Sequence, residues 1–146
     1  MKTFPAGGVH PPENKLTGTS PIQVLPLPKT AVIPVSQHIG APSAIIVNKG
    51  DYVKTGQILA GSKGFVSANI HSSVSGKVNK IDTVTDTTGF RQTAVFIDVE
   101  GDEWVETIDR TQNISREINH SPEEIISKCL ECGIVGLGGA TFPSHV

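Results

Sequence analysis

Three groups of residues in this sequence have the types and spacing to do chemistry. Gly136-x-Gly138-Gly139 could let the backbone approach a phosphate closely and turn its N–H groups toward it. Cys129-Leu130-Glu131-Cys132 sets two thiols at the spacing of a metal-ligand or redox pair. Five histidines, His10, His38, His71, His120 and His145, could act as bases or ligands.

Each group has a plainer reading beside the chemical one. As a dinucleotide fingerprint the glycine run fails: the third glycine would fall at Thr141, and a helical pattern precedes it where a long strand should stand. Residue type alone leaves a phosphate cradle and a simple turn both open. The CxxC would need further thiolates for a zinc ribbon or an iron–sulfur site, and the sequence has none. A redox pair gains its low thiol pKa at a helix N-terminus, whereas this one lies at a C-terminal end, so one core thiol and one incidental thiol are expected. The histidines are too scattered for metal-ligand spacing, and no metal ligands or catalytic residues are assigned. GxSxG, GxxxxGK[ST] and HExxH are absent, which leaves a small hydrolase or metalloenzyme without a motif. Asp98-x-Glu100-x-Asp102 lacks the glycine of a calcium loop, and residues 100–109 read as a solvated acidic loop.

The composition says which elements must carry these residues. The 146 residues include 15 Val, 15 Ile and 13 Thr against 6 Leu, and 25 are Gly or Pro. Branched Cβ atoms suit a pleated surface and crowd a helix, so a mainly β chain is expected. A net charge of −2 gives no basic footprint for nucleic acid. No run approaches the ~20 apolar residues of a membrane span, and two cysteines are too few for a disulfide framework. Strands are expected over residues 31–35, 44–47, 57–60, 65–70, 76–81 and 93–99, separated by Gly and Pro clusters. In the last of these, Val95, Ile97 and Val99 alternate with Ala94, Phe96 and Asp98. Residues 1–30, rich in Pro and Gly, read as an extended arm packing on the barrel, with edge pairing at most near 22–25.

After Arg110 the texture changes. Ser121-Pro122-Glu123-Glu124 starts a helix with an N-cap, proline at its first position and acids at its positive end. Ile125, Ile126, Cys129 and Leu130 fall on one face, and Gly133 stops the helix. Val146 follows the glycine run by a few residues, so this stretch is expected to be the first piece of a second domain.

Gly50-Asp51-x-Val53-x-x-Gly56-Gln57, with Ser72-Ser73-Val74-Ser75-Gly76-Lys77-Val78 after it, resembles the hammerhead of biotinyl and lipoyl carrier domains. The resemblance implies a barrel-sandwich hybrid over about 33–99. It also raises a swinging-arm carrier as an alternative function. The modified lysine's position falls on Phe65, however, with Lys63 two residues early; a slip along a strand changes the face a side chain occupies.

Read in order, more motifs accumulate. They are Phe4-x-x-Gly7-Gly8-Val9-His10-Pro11-Pro12-Glu13-Asn14-Lys15, Leu25-Pro26-Leu27-Pro28, Ile33-Pro34-Val35-Ser36-Gln37-His38-Ile39-Gly40-Ala41-Pro42, Gly64-Phe65-Val66-Ser67-Ala68 and Gly133-Ile134-Val135-Gly136-Leu137-Gly138-Gly139-Ala140. Together they resemble the N-terminal part of the RnfC proteins of Rnf electron transport complexes.

The resemblance implies a three-part organisation: an arm over 1–30, a barrel-sandwich hybrid over 31–110, and over 111–146 a helix and Gly-rich loop opening a truncated FMN- and NADH-binding domain. It implies a peripheral subunit on the cytoplasmic face of the cell inner membrane, facing NADH, in a complex that transfers electrons between ferredoxin and NAD and couples this to ion translocation. FMN and two 4Fe-4S clusters are implied for the intact protein. None of these, and no activity, is expected on these 146 residues alone. Partners are then the other subunits and NAD(H), with no nucleic acid and no direct membrane span, and the barrel serves as an assembly surface. Gly136, Gly138, Gly139, Ala140 and Phe142 become the cofactor-contacting residues. The family usually reads Gly-Gly-Ala-Gly-Phe-Pro there, and Thr141 stands in place of the last glycine.

Overall fold

The computed structural model describes residues 8, 12–86 and 88–146. The opening motif around Phe4, Gly7, Val9, His10 and Pro11 lies almost wholly outside these described residues.

Seven strands and one helix follow in order: β1 (Thr30–Pro34), β2 (Ala44–Ile45), β3 (Tyr52–Val53), β4 (Ile58–Gly61), β5 (Ile70–His71), β6 (Ser75–Thr85), β7 (Arg91–Gly101) and α1 (Pro122–Glu131). They form a four-stranded sheet, β1-β7-β6-β3, and a three-stranded sheet, β2-β4-β5. The paired strands are antiparallel throughout. The result is the mainly β barrel-sandwich hybrid with one short helix that the hammerhead implied.

The core lies between the sheets. Ile33, Val35, Val47, Val53, Leu59, Ala60, Ile70, Val74, Val78, Val95 and Ile97 form one buried cluster. Val95 and Ile97 point inward as the alternation requires, while Phe96 lies on the other face beneath the Lys80 ammonium, 4.5 Å from its ring centroid. Gly76 passes directly against β7: a Cβ there would sit 2.1 Å from the carbonyl oxygen of Asp98. This explains a glycine within a paired strand.

Several expectations need correction. The strand expected over 65–70 shrinks to Ile70–His71, because residues 64–66 bend into a hairpin tip. β6 and β7 run longer than their apolar patterns, to 11 residues each, since pairing continues past the core along an exposed hairpin. The arm forms no edge strand near 22–25. Its described residues from 12 onward are exposed, Ile22 completely, and bury nothing against the barrel.

The acidic stretch after β7 is exposed but tethered to the end of the barrel at Thr55. Thr55 N–H donates to Glu103 O at 2.8 Å, and Val105 N–H donates to Thr55 O at 3.0 Å. Thr55 Oγ1 donates to Asp102 at 3.0 Å, and Lys54 lies 2.7 Å from Glu103. The Lys54 hydrogen bond and charge hold the Glu103 carboxyl below the usual carboxylate range.

α1 begins as its sequence demands. Glu124 N–H donates to Ser121 Oγ at 3.2 Å, and Ser121 N–H donates back to the Glu124 carboxylate at 2.7 Å, a reciprocal capping box. Its apolar face is not buried, however. Ile125 and Ile126 are exposed, and Cys129 and Leu130 are only half-buried.

Candidate functional site

The glycine loop is built on a short reversal of the chain. Val135 pairs with Pro143 in antiparallel fashion, Gly136 N–H donates to Phe142 O at 2.9 Å, and Ser144 N–H donates to Ile134 O at 2.9 Å. Between these feet the chain from Leu137 to Ala140 is exposed. Added Cβ atoms at Gly138 or Gly139 would meet nothing within 4 Å. Among the described residues, the amides of Gly138, Gly139 and Ala140 have no hydrogen-bond partner.

Unpartnered, open amides on successive residues fit an anionic oxygen, as of a phosphate. Gly136 is different, because its amide closes the loop. Phe142 contributes its carbonyl to the same bond and leaves its ring half-exposed.

Thr141 takes φ +52, a left-handed conformation that suits glycine and strains a β-branched residue. Its hydroxyl turns back to donate to Ala140 O at 2.6 Å. The crowding expected of a Cβ at this position therefore takes the form of backbone strain.

Neither cysteine is buried in the core, against expectation. Cys129 is half-buried and Cys132 exposed, and both are free thiols. Helix geometry is the reason: the face carrying them packs only at its last turn. There a cleft of about 820 Å³ separates α1 from the barrel, lined by Ile58, Val105, Ile108, Lys128 and Cys132 among others. No three His, Cys, Asp or Glu side chains gather to hold a metal among the described residues.

The histidines do different things. His38 is buried beside Ser43, with Nε2 and Oγ 3.2 Å apart. That spacing suggests a nucleophile and base, but the protons run otherwise. Nδ1–H donates to Ile39 O at 3.1 Å, Ala68 N–H donates to Nε2 at 3.1 Å, and Ser43 donates to Ala68 O at 2.6 Å. The lone pair of the base is already engaged and the serine proton points at a carbonyl, so the pair staples residues 38–43 to the hairpin and activates nothing. His71 sits at the joint between barrel and α1, where burial pushes its pKa below the usual histidine value against a smaller opposing contact with Glu131. His145 Nε2–H donates to Phe65 O at 3.2 Å.

The hairpin tip where a carrier would present its lysine carries Phe65, three-quarters exposed, with Lys63 also exposed two residues earlier. Asn69 and His145 are functional candidates that no motif pointed to. Both act through backbone groups that no spacing rule advertises, although the left-handed Gly133 after a helix hinted at a close approach there.

Comparison with known proteins gives a consistent picture. The model of the RnfC barrel sandwich hybrid domain matches residues 2–102. The chain is 47% identical to the RnfC-type component of the proton-translocating ferredoxin:NAD(+) oxidoreductase complex of Clostridium ljungdahlii, covering 100% of the chain and 32% of that protein. It is 42% identical to the corresponding component of the Na(+)-translocating ferredoxin:NAD(+) oxidoreductase complex of Acetobacterium woodii, over 96% of the chain and 31% of that protein. With the corresponding component of the ion-translocating oxidoreductase complex of Rhodobacter capsulatus it shares 39% identity over 96% of the chain and 27% of that protein. The chain thus spans about a third or less of the length of these relatives.

Proposed function

The chain belongs to the RnfC family, and from that premise we propose that it is the N-terminal part of the RnfC subunit of an ion-translocating ferredoxin:NAD oxidoreductase complex. The observation that carries this reading is the 47% identity extending over the whole chain, arm, barrel, helix and loop together. No helix among the described residues is long and apolar enough to cross a membrane, and the reading makes the subunit peripheral, on the cytoplasmic face.

In this reading the barrel module is an assembly surface. Large apolar side chains stand exposed on its extensions: Ile22, Val24 and Leu25 on the arm, and Phe90 at the end of the β6–β7 hairpin. Apolar groups left in water at this density favour burial against a protein partner. Removing residues 1–110 from the full-length protein is expected to abolish its co-purification with the other subunits. An assembled, active complex without them sinks the assembly role.

Residues 111–146 open the nucleotide-binding domain in the same reading. The amides of Gly138, Gly139 and Ala140 donate to a phosphate, Gly136 and Phe142 hold the loop closed, and the exposed Phe142 ring offers an apolar wall. FMN, when bound, divides the two electrons of a hydride into single-electron steps that 4Fe-4S clusters can carry. The cluster ligands then belong to residues outside this sequence. NADH is the implied small-molecule partner.

Lys63, exposed on the hairpin, keeps the swinging-arm carrier as a second reading. One intact-mass measurement separates the two. A lipoyl or biotinyl increment on Lys63 supports the carrier, and an unmodified mass supports the assembly module.

A further inference from the structure

In carrier domains the hairpin after the hammerhead ends in a tip that must swing free. Here it is occupied. Asn69 takes two partners at once: its Oδ1 accepts from Ser62 N–H at 2.9 Å across the hairpin, and its Nδ2 donates to Glu131 O at the end of α1 at 3.2 Å. Two residues on, Gly133 at φ +64 lies against the hairpin backbone, where a Cβ would sit 2.2 Å from Asn69 O. On the far side of the glycine loop, His145 Nε2–H donates to Phe65 O at 3.2 Å, next to the buried Pro143.

These contacts fall at the two feet of the loop, with Gly133 before it and His145 after it. Its internal bonds, Gly136 to Phe142 and Ser144 to Ile134, lie between them. A loop closed by so few bonds and containing the strained Thr141 has little to hold it in one shape by itself. We propose that the hairpin from Gly61 to His71 is a clamp that positions the glycine loop, with Asn69 and His145 as its positioning residues. The clamp presents the open amides of Gly138, Gly139 and Ala140 to their anion in one fixed arrangement. This inference rests on the reading of the loop as a nucleotide contact.

The test uses the full-length protein and two readouts: amide exchange at Ile134, Gly136 and Ser144, and the dissociation constants of FMN and NADH. Asn69→Asp keeps the acceptor for Ser62 and loses the donor to Glu131, so the hairpin itself stays bonded. His145→Phe removes the bond to Phe65, and His145→Gln restores a side-chain N–H donor in the same position. Asn69→Asp and His145→Phe are each expected to speed exchange at the three amides about fivefold, as the loss of one hydrogen bond predicts. His145→Gln is expected to bring it back, and exchange in β6 and β7 to stay unchanged. Weaker FMN or NADH binding in step with faster exchange supports both clamp and cofactor reading. Faster exchange with unchanged nucleotide affinity supports the clamp and overturns the cofactor reading. Unchanged exchange in both variants overturns the clamp.

Discussion

Gly133 and Asn69 meet backbone to backbone: a Cβ on Gly133 would stand 2.2 Å from the Asn69 carbonyl oxygen. This contact joins the end of α1 to the barrel hairpin. The φ of +64 at Gly133 adds a second reason for glycine. Gly133→Ala is therefore expected to cost about 2 kcal/mol, combining left-handed strain with displacement of the helix end. Thermal unfolding followed by circular dichroism measures it, and a melting temperature equal to that of the parent contradicts the packing described.

Thr141 poses the opposite case. It holds a left-handed φ of +52 with a branched Cβ, relieved only by its hydrogen bond to Ala140 O. Thr141→Gly is expected to stabilise the loop by about 1 kcal/mol, the relief of strain exceeding the added entropy of the unfolded glycine. Exchange at the Gly136 amide should slow accordingly, and faster exchange refutes the assignment of strain.

His71 gives the protein a pH dependence of definite sign. Burial lowers its folded pKa beneath the ordinary value of 6.5. The unfolded chain therefore binds the proton more readily between the two values, and stability falls as the pH drops through and below about 6.5. Urea midpoints at pH 7.5 and 5.5 should differ more in the parent than in His71→Gln. Equal differences dissociate His71 from the effect. The exposed carboxylates with lowered pKa, such as Glu103 and Asp82, lose their contributions only at more acidic pH.

Leu59 is wholly buried between the sheets, whereas Ile22 is wholly exposed. Leu59→Ala is expected to destabilise the barrel by about 3 kcal/mol, through lost transfer energy and the cavity left behind. Ile22→Ala should stay within about 0.5 kcal/mol of the parent. Paired denaturant titrations decide this, and a large stability loss at Ile22 shows that the arm packs on the barrel after all.

Much of this was legible in the order of residues. The hammerhead, the alternation of Val95 and Ile97, and the capping of α1 by Ser121 and Glu124 all act through neighbours or fixed periods, and each appears where expected. The strand over 65–70 was not legible, because an apolar run reads alike on a strand and on a bent tip that needs Gly64 at φ +104. Cys129 misled for a related reason. An apolar helix face says that something should cover it, and not whether the barrel does.

A mainly β chain, a hammerhead without its lysine at the tip, a capped helix and a glycine loop all follow from the order of residues alone. These rest on side-chain period, turn chemistry and residue type, which are local properties. It took the folded arrangement to show that Ser43 and His38 staple rather than react, and that Asn69 and His145 grip the loop from both sides. Those outcomes depend on which carbonyl lies within about 3 Å of which donor. Backbone groups are the same at every residue, so their meetings leave no mark in the order of the side chains.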